Sequence, residues 1–160
     1  MRLYHGSDVT IEKPDAIHSR KNLDFGSGFY ATSYPKQAER WALRRSLRSH
    51  GKALVNVYEF DETANLHILR FNENDAEWVR FVCNCRRGGQ PPLGTDLIIG
   101  GVADDKVYAA IDMYMRELWD MERTLQALAF YERNDQYCFL TPRSTVSYTH
   151  LRAHETPEHL

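Results

Sequence analysis

The chain has 160 residues with 20 basic and 22 acidic side chains and a formal net charge of −2, as expected for one compact domain with a buried core. This charge does not suit a nucleic-acid coat protein, and the absence of a long apolar run or a signal-peptide segment argues against a membrane partner and against export. The three cysteines, an odd number, favour reduced thiols in the cytoplasm, and Cys83 and Cys85 lack the second ligand pair that zinc needs, so no metal site is predicted.

The first predicted strand runs from Arg2 to His5 and ends at Gly6. Residues 7–28 are rich in turn formers and charges, which predicts a long functional loop. Phe29–Ala31 is predicted as a brief strand. A histidine at a strand end before glycine is commonly part of a turn, so His5 alone does not establish a site.

A helix is predicted to follow, with Ser33 or Tyr34 as its cap, Pro35 in its first turn and Gly51 at its end. Its apolar face carries Ala38, Trp41 and Ala42. Its arginines are Arg40, Arg44, Arg45 and Arg48. They form either a solvated helix face, the favoured interpretation, or a patch for a polyanion.

The middle of the chain alternates predicted strands and helices. Strands are expected at 53–60, 66–71 and 97–99 and at 136–141, and helices at 75–82, after Asp104 and after Asp120, with Asn74 as the first cap. Asp104 and Asp105 are interpreted as cap residues in preference to catalytic ones. Strands at both ends with helices between them predict an α+β fold.

The segment Phe25-Gly-Ser-Gly-Phe-Tyr-Ala31 fits the dinucleotide fingerprint Gly-x-Gly-x-x-Ala. No strand is predicted before it, and Pro35 interrupts the helix that should follow at once. A Rossmann site is therefore not predicted.

Three segments, in this order, resemble the poly(ADP-ribose) polymerase and diphtheria-toxin branch of the ADP-ribosyltransferase superfamily. Leu3-Tyr-His-Gly-Ser7 resembles the first motif, and the segment from Phe25 to Ala31 resembles the Phe-Gly-x-Gly-apolar-Tyr motif. Asp135-Gln-Tyr-Cys-Phe139 is similar to the strand that carries the catalytic glutamate, although by itself it is an ordinary core strand. The resemblance implies an ADP-ribosyltransferase-like split mixed β-sheet flanked by helices.

The resemblance also implies roles in binding NAD. His5 would hydrogen-bond a ribose hydroxyl, Gly6 would let the backbone reach the nicotinamide amide, and Ser7 would contact the adenosine ribose. Tyr30 would stack on the nicotinamide ring, with Trp41 as a candidate for its other face.

Two positions leave alternatives open. Arg20 could pair with the pyrophosphate or be a solvated loop arginine. Gln136 stands where the family has glutamate; it keeps a hydrogen bond but carries no charge. Asp135 cannot replace that charge, because neighbouring strand residues face opposite ways. The other carboxylates that could reach the cleft are Asp24, Asp104 and Glu132.

The implied activity is NAD-dependent mono-ADP-ribosyl transfer to a protein or nucleic acid, with NAD+ as substrate and no metal. The resemblance extends to small bacterial proteins, some encoded near toxin–antitoxin modules, so a toxin with an antitoxin partner is included. A nucleic-acid acceptor is suggested only by the arginine helix face. The alternative is a catalytically degenerate module that binds NAD or ADP-ribose.

The end of the chain is expected to be of different origin. Residues 146–156 resemble the translated transposase adapter of sequencing libraries, so we expect a natural domain over 1–145 and a non-native tail over 146–160. His150, His154 and His159 belong to that tail, and we do not interpret them as a metal site.

Overall fold

A computed structural model of the protein describes residues 1–16 and 23–156. These residues form an α+β fold, which confirms the predicted class. The strands are β1 Arg2–Ser7, β2 Phe29–Ala31, β3 Leu54–Phe60, β4 Ile68–Arg70, β5 Leu97–Gly101, β6 Asp135–Phe139 and β7 Tyr148–Glu155. The helices are α1 Pro35–Ser49, α2 Ala76–Arg86, α3 Asp105–Met115, α4 Met121–Leu128 and α5 Pro142–Thr145.

The strands form two sheets. Sheet A is antiparallel with the order β1-β3-β7, and sheet B has the order β2-β6-β5-β4, in which β4 and β5 alone run parallel. The sheets join where Tyr4 of β1 and Thr32, just after β2, exchange backbone hydrogen bonds of 2.8 and 2.9 Å. The end of β2 therefore leads from one sheet to the other.

Successive side chains of a strand point to opposite faces of its sheet, so each sheet packs its apolar side chains on both faces. One core lies between the sheets and includes Leu3, Phe29, Tyr58 and Phe139. A second core lies between sheet B and helices α2 to α4. On the far side of sheet A, α1 packs through small residues against β3. The order of layers is thus α1, sheet A, sheet B and the remaining helices.

Gly6 allows α1 to lie directly on β1. A Cβ atom at this position would overlap the carbonyl oxygen of Ala38 and would stand 2.5 Å from the Ala42 nitrogen and 3.0 Å from the Trp41 Cβ. Backbone on both sides leaves no room for any side chain. This contact gives Gly6 a packing role that the sequence did not indicate.

Helix α2 begins and ends later than predicted. Its N-cap is Asp75 and not Asn74: the Asp75 carboxylate accepts a 3.0 Å hydrogen bond from the Trp78 backbone nitrogen. The helix continues beyond Val82 to Arg86, which brings the guanidinium of Arg86 to the edge of sheet B.

Residues 148–155 form β7 beside β3, although they lie within the segment that resembles adapter sequence. Tyr148 packs between the sheets against Phe29 and Phe139, yet its hydroxyl is enclosed without a hydrogen-bond partner in the described chain. The non-native origin of this segment stays a prediction.

The cysteines are buried and free: Cys83 and Cys85 on α2, and Cys138 on β6. Burial raises the pKa of the Cys85 thiol to about 11 and also raises the pKa values of the Cys83 and Cys138 thiols. All three thiols therefore stay protonated near neutral pH.

Candidate functional site

His5 lies in β1 on the side of sheet A that faces sheet B. Its Nδ1 makes a short hydrogen bond to the Tyr30 carbonyl oxygen, and its ring centroid lies 4.4 Å from that of Phe29. A carbonyl only accepts, so Nδ1 carries the proton and Nε2 has a free lone pair. Burial lowers the pKa of His5 to about 4, so the imidazole is neutral at physiological pH.

Tyr30 lies in β2 and closes the turn that precedes it. Its hydroxyl accepts a 3.0 Å hydrogen bond from the Phe25 nitrogen and donates a 2.5 Å bond to the Gly26 carbonyl. Gly26 has φ of +85°, a conformation that favours glycine, and Phe25 is fully enclosed in the core. The residues Phe25, Gly26 and Tyr30 of this motif therefore stabilise the turn before β2. Burial raises the pKa of Tyr30 well above its ordinary value.

Gln136 lies in β6 and is only 3% exposed. Its Nε2 donates to Asp24 Oδ2 at 2.9 Å and to the Gly101 carbonyl at 3.2 Å. Its amide oxygen accepts no hydrogen bond from the described residues.

Asp24 connects Gln136 to helix α2. Its Oδ1 makes a short ion pair with Arg86 Nη2, and its Oδ2 also accepts a 2.9 Å hydrogen bond from the Ala103 nitrogen. Arg86 Nη2 donates to the Ala103 carbonyl at 3.0 Å, and the Arg86 guanidinium lies over the Tyr108 ring at 4.4 Å. Burial raises the pKa of Asp24, and the charge of Arg86 opposes that shift.

The three predicted catalytic residues come from distant segments that meet, but their side chains face two sides of β2 and β6. Tyr30 pairs with Cys138, two residues after Gln136, so the phenol and the carboxamide share the helix-facing side of sheet B. The His5 imidazole lies on the opposite side, against Phe29, and reaches Tyr30 through the backbone carbonyl only. The structure therefore brings Tyr30 and Gln136 together and holds His5 behind them.

The predicted NAD-binding residues are dispersed. Gly6 is filled from one side by α1, and the Ser7 hydroxyl is turned into the following bend, 3.4 Å from an Asp8 carboxylate oxygen. Trp41 is carried by α1 on the outer face of sheet A, and within the described ranges it makes no ring contact with Tyr30. Arg20 lies outside the described residues.

Among the carboxylates proposed to reach the cleft, only Asp24 contacts Gln136. Glu132 is exposed, and the Asp104 carboxylate accepts a 3.0 Å hydrogen bond from Gln37 Nε2. Asp104 is the N-cap residue of α3 as predicted, but its side chain makes no capping hydrogen bond.

Arg86 is the residue of this cluster that sequence reasoning missed. It stands at the end of a longer α2 than expected, and the sequence shows only an arginine pair before two glycines. The one available signal was Asp24 itself: a carboxylate directly before the core residue Phe25 needs a compensating cation.

A surface cavity of about 400 Å³ lies elsewhere, near α3 and α4, and is lined by Arg87, Tyr114, Glu117, Trp119 and Asp120. None of the predicted site residues that the structure describes lines it. In the described part of the chain, every helix is too short or too polar to cross a bilayer.

A family model described as a protein of unknown function (DUF3990) matches residues 1–150, so the chain belongs to this family. The match includes all three segments of the candidate site and the first residues of the segment that resembles adapter. No curated protein matches the chain.

Proposed function

We propose that this protein is an NAD-dependent mono-ADP-ribosyltransferase whose two sheets form an ADP-ribosyltransferase-like split β-sheet. Its substrate is NAD+, its acceptor is a protein or nucleic acid, and no metal takes part. A role as a cytoplasmic toxin, controlled by an antitoxin, belongs to the same proposal.

The observation that carries this proposal is the meeting of three distant segments at one junction. The His5 imidazole binds the Tyr30 backbone, and Tyr30 lies diagonally across from Gln136 on paired strands. The same three segments carry the motifs that resemble the transferase family. Such a meeting supports a shared role for residues that are far apart in the chain.

The chemistry of two acceptor atoms supports a ligand rich in hydroxyl groups. His5 Nε2 and the Gln136 amide oxygen accept no hydrogen bonds from described residues, and both are neutral acceptors. Ribose hydroxyls are donors that such atoms bind. Cleavage of the nicotinamide–ribose bond builds positive charge on the sugar, and loss of one stabilising group typically slows such a step by about a hundredfold to a thousandfold. A single slow transfer is therefore expected, without chain elongation.

The test is nicotinamide release from NAD+ in the presence of lysate, with labelled ADP-ribose followed onto macromolecules. The parent should release nicotinamide, and His5→Ala and Gln136→Met should lower the rate by about a hundredfold. His67→Ala is the matched control because His67 is exposed and lies before β4, away from the junction. A parent protein that neither binds NAD nor releases nicotinamide would overturn the proposal.

A second candidate is a module that holds NAD or ADP-ribose without turnover. It is favoured by the ion pair between Asp24 and Arg86, which neutralises the carboxylate nearest to Gln136. Calorimetry distinguishes the two: binding of NAD and ADP-ribose without nicotinamide release supports the module, whereas release excludes it.

A further inference from the structure

The orientation of the Gln136 carboxamide is fixed by its neighbours. Its nitrogen lies between Asp24 Oδ2 at 2.9 Å and the Gly101 carbonyl oxygen at 3.2 Å. A backbone carbonyl and a carboxylate can only accept, so the NH2 group must face them. The amide oxygen must then point the other way, away from Asp24 and from the Gly101 carbonyl.

Asp24 is equally constrained. Its Oδ2 also accepts from the Ala103 nitrogen at 2.9 Å, and its Oδ1 is held by the Arg86 guanidinium. An asparagine would have to turn its NH2 group towards a cation or towards two other donors. The surroundings therefore require an acceptor on both oxygens of residue 24.

These two constraints together select glutamine at position 136. A glutamate there would place an ionised oxygen against the Asp24 carboxylate and the Gly101 carbonyl, and neither of these acceptors could donate a hydrogen bond to it. Glutamine therefore suits the acceptors around position 136 better than an ionised glutamate would.

From this geometry we infer that Asp24 is a positioning residue, which holds the Gln136 amide oxygen turned away from the ion pair as a fixed acceptor for a ribose hydroxyl of NAD. The inference rests on the proposed function. The hydrogen bond from the amide nitrogen to Asp24 Oδ2 also polarises the carboxamide, which increases the electron density on its oxygen.

The Gln136→Glu variant distinguishes this positioning role from the alternative that position 136 merely lacks a catalytic charge. The two hypotheses predict opposite changes in its rate of nicotinamide release as the pH rises. A protonated glutamic acid can donate its O–H to Asp24 and leave its carbonyl oxygen turned away from Asp24, as the amide does. We expect Gln136→Glu to release nicotinamide near the parent rate at pH 5 and about a hundredfold more slowly at pH 8. If position 136 merely lacks a charge, the variant should instead gain activity as pH rises and exceed the parent.

Two further variants complete the design. Gln126→Glu makes the same change at an exposed position of α4 and should follow the parent at both pH values. Asp24→Asn should lower kcat about a hundredfold and leave KM within a few-fold, because Gln136 stays present but misdirected. Thermal unfolding at both pH values identifies any variant that is unfolded during the assay.

The side-chain amide signals of Gln136 in NMR spectra, identified by their loss in Gln136→Met, give a readout independent of turnover. ADP-ribose should shift them in the parent and not in Asp24→Asn. A parent without NAD binding or release overturns the proposed function, and the ribose assignment with it. A functional parent whose Gln136→Glu variant is as active at pH 8 overturns the positioning role alone.

Discussion

Two successive residues of β6, Asp135 and Gln136, anchor different segments from opposite faces of sheet B. Gln136 is enclosed and binds the Asp24–Arg86 ion pair, so its side depends on a compensated buried charge. Asp135 is half-buried, and within the described ranges its carboxylate accepts from neutral donors of Ser33 and Thr32, at 2.5 to 3.2 Å. A buried ion pair is costly to break from one end, whereas hydrogen bonds near solvent are replaced by water. The two sides should therefore differ in their response to mutation.

The largest effect is expected from Arg86→Met, which leaves Asp24 buried without a cation. The loss in free energy of unfolding should be about 3–5 kcal/mol, measured by urea denaturation. The pKa of Asp24 is higher in the folded protein than in the unfolded chain. Its protonation therefore stabilises the folded protein at low pH, and this stabilisation is lost as the pH rises through the folded pKa. The variant should thus be worse at pH 8 than at pH 5. Arg80→Met, at an exposed arginine of the same helix, should stay within about 0.5 kcal/mol of the parent.

His5 extends the comparison to a half-buried side chain that is neutral in the folded protein at physiological pH. Its folded pKa of about 4 lies below the ordinary 6.5, so the unfolded chain binds more protons between these values. Stability should rise with pH in this window and fall by up to about 3 kcal/mol as the solution is acidified through it. His5→Gln should remove that part of the pH dependence, and His67→Gln should retain it. Equal acid sensitivity of the parent and His5→Gln would contradict the assignment.

On the Asp135 side, a double-mutant cycle between Asp135→Asn and Ser33→Ala measures the bond from the Ser33 hydroxyl, 2.5 Å long. The coupling should be about 1 kcal/mol, well below the Arg86 effect, because water can reach this half-buried pair. A coupling as large as the Arg86→Met loss would remove the distinction between the two sides.

The smallest change in the free energy of unfolding is expected for an exposed ion pair. Arg44 and Asp105 form a 2.8 Å ion pair with both side chains largely exposed. Arg44→Gln should change the free energy of unfolding by less than about 1 kcal/mol. The change should shrink further in high salt, as measured by urea denaturation at two salt concentrations.

The sequence predicted the α+β class, the brief strand Phe29–Ala31 and the Asp120 cap, because periodicity and cap chemistry are local. It also predicted that the segments of His5, Tyr30 and Gln136 belong together, and these segments do meet. Which face each side chain takes depends on the register between β2 and β6, which no local pattern encodes. The Asp24–Arg86 pair depends on where α2 ends.

The close contact between α1 and β1 at Gly6 determines how this part of sheet A responds to a substitution. Helix and strand backbones touch there, so no repacking of flexible side chains can absorb an added methyl group. Gly6→Ala would have to displace the helix as a rigid body, and the strand it leaves also carries His5. A substitution on the far side of sheet A would thus be transmitted to the imidazole through the backbone of one strand.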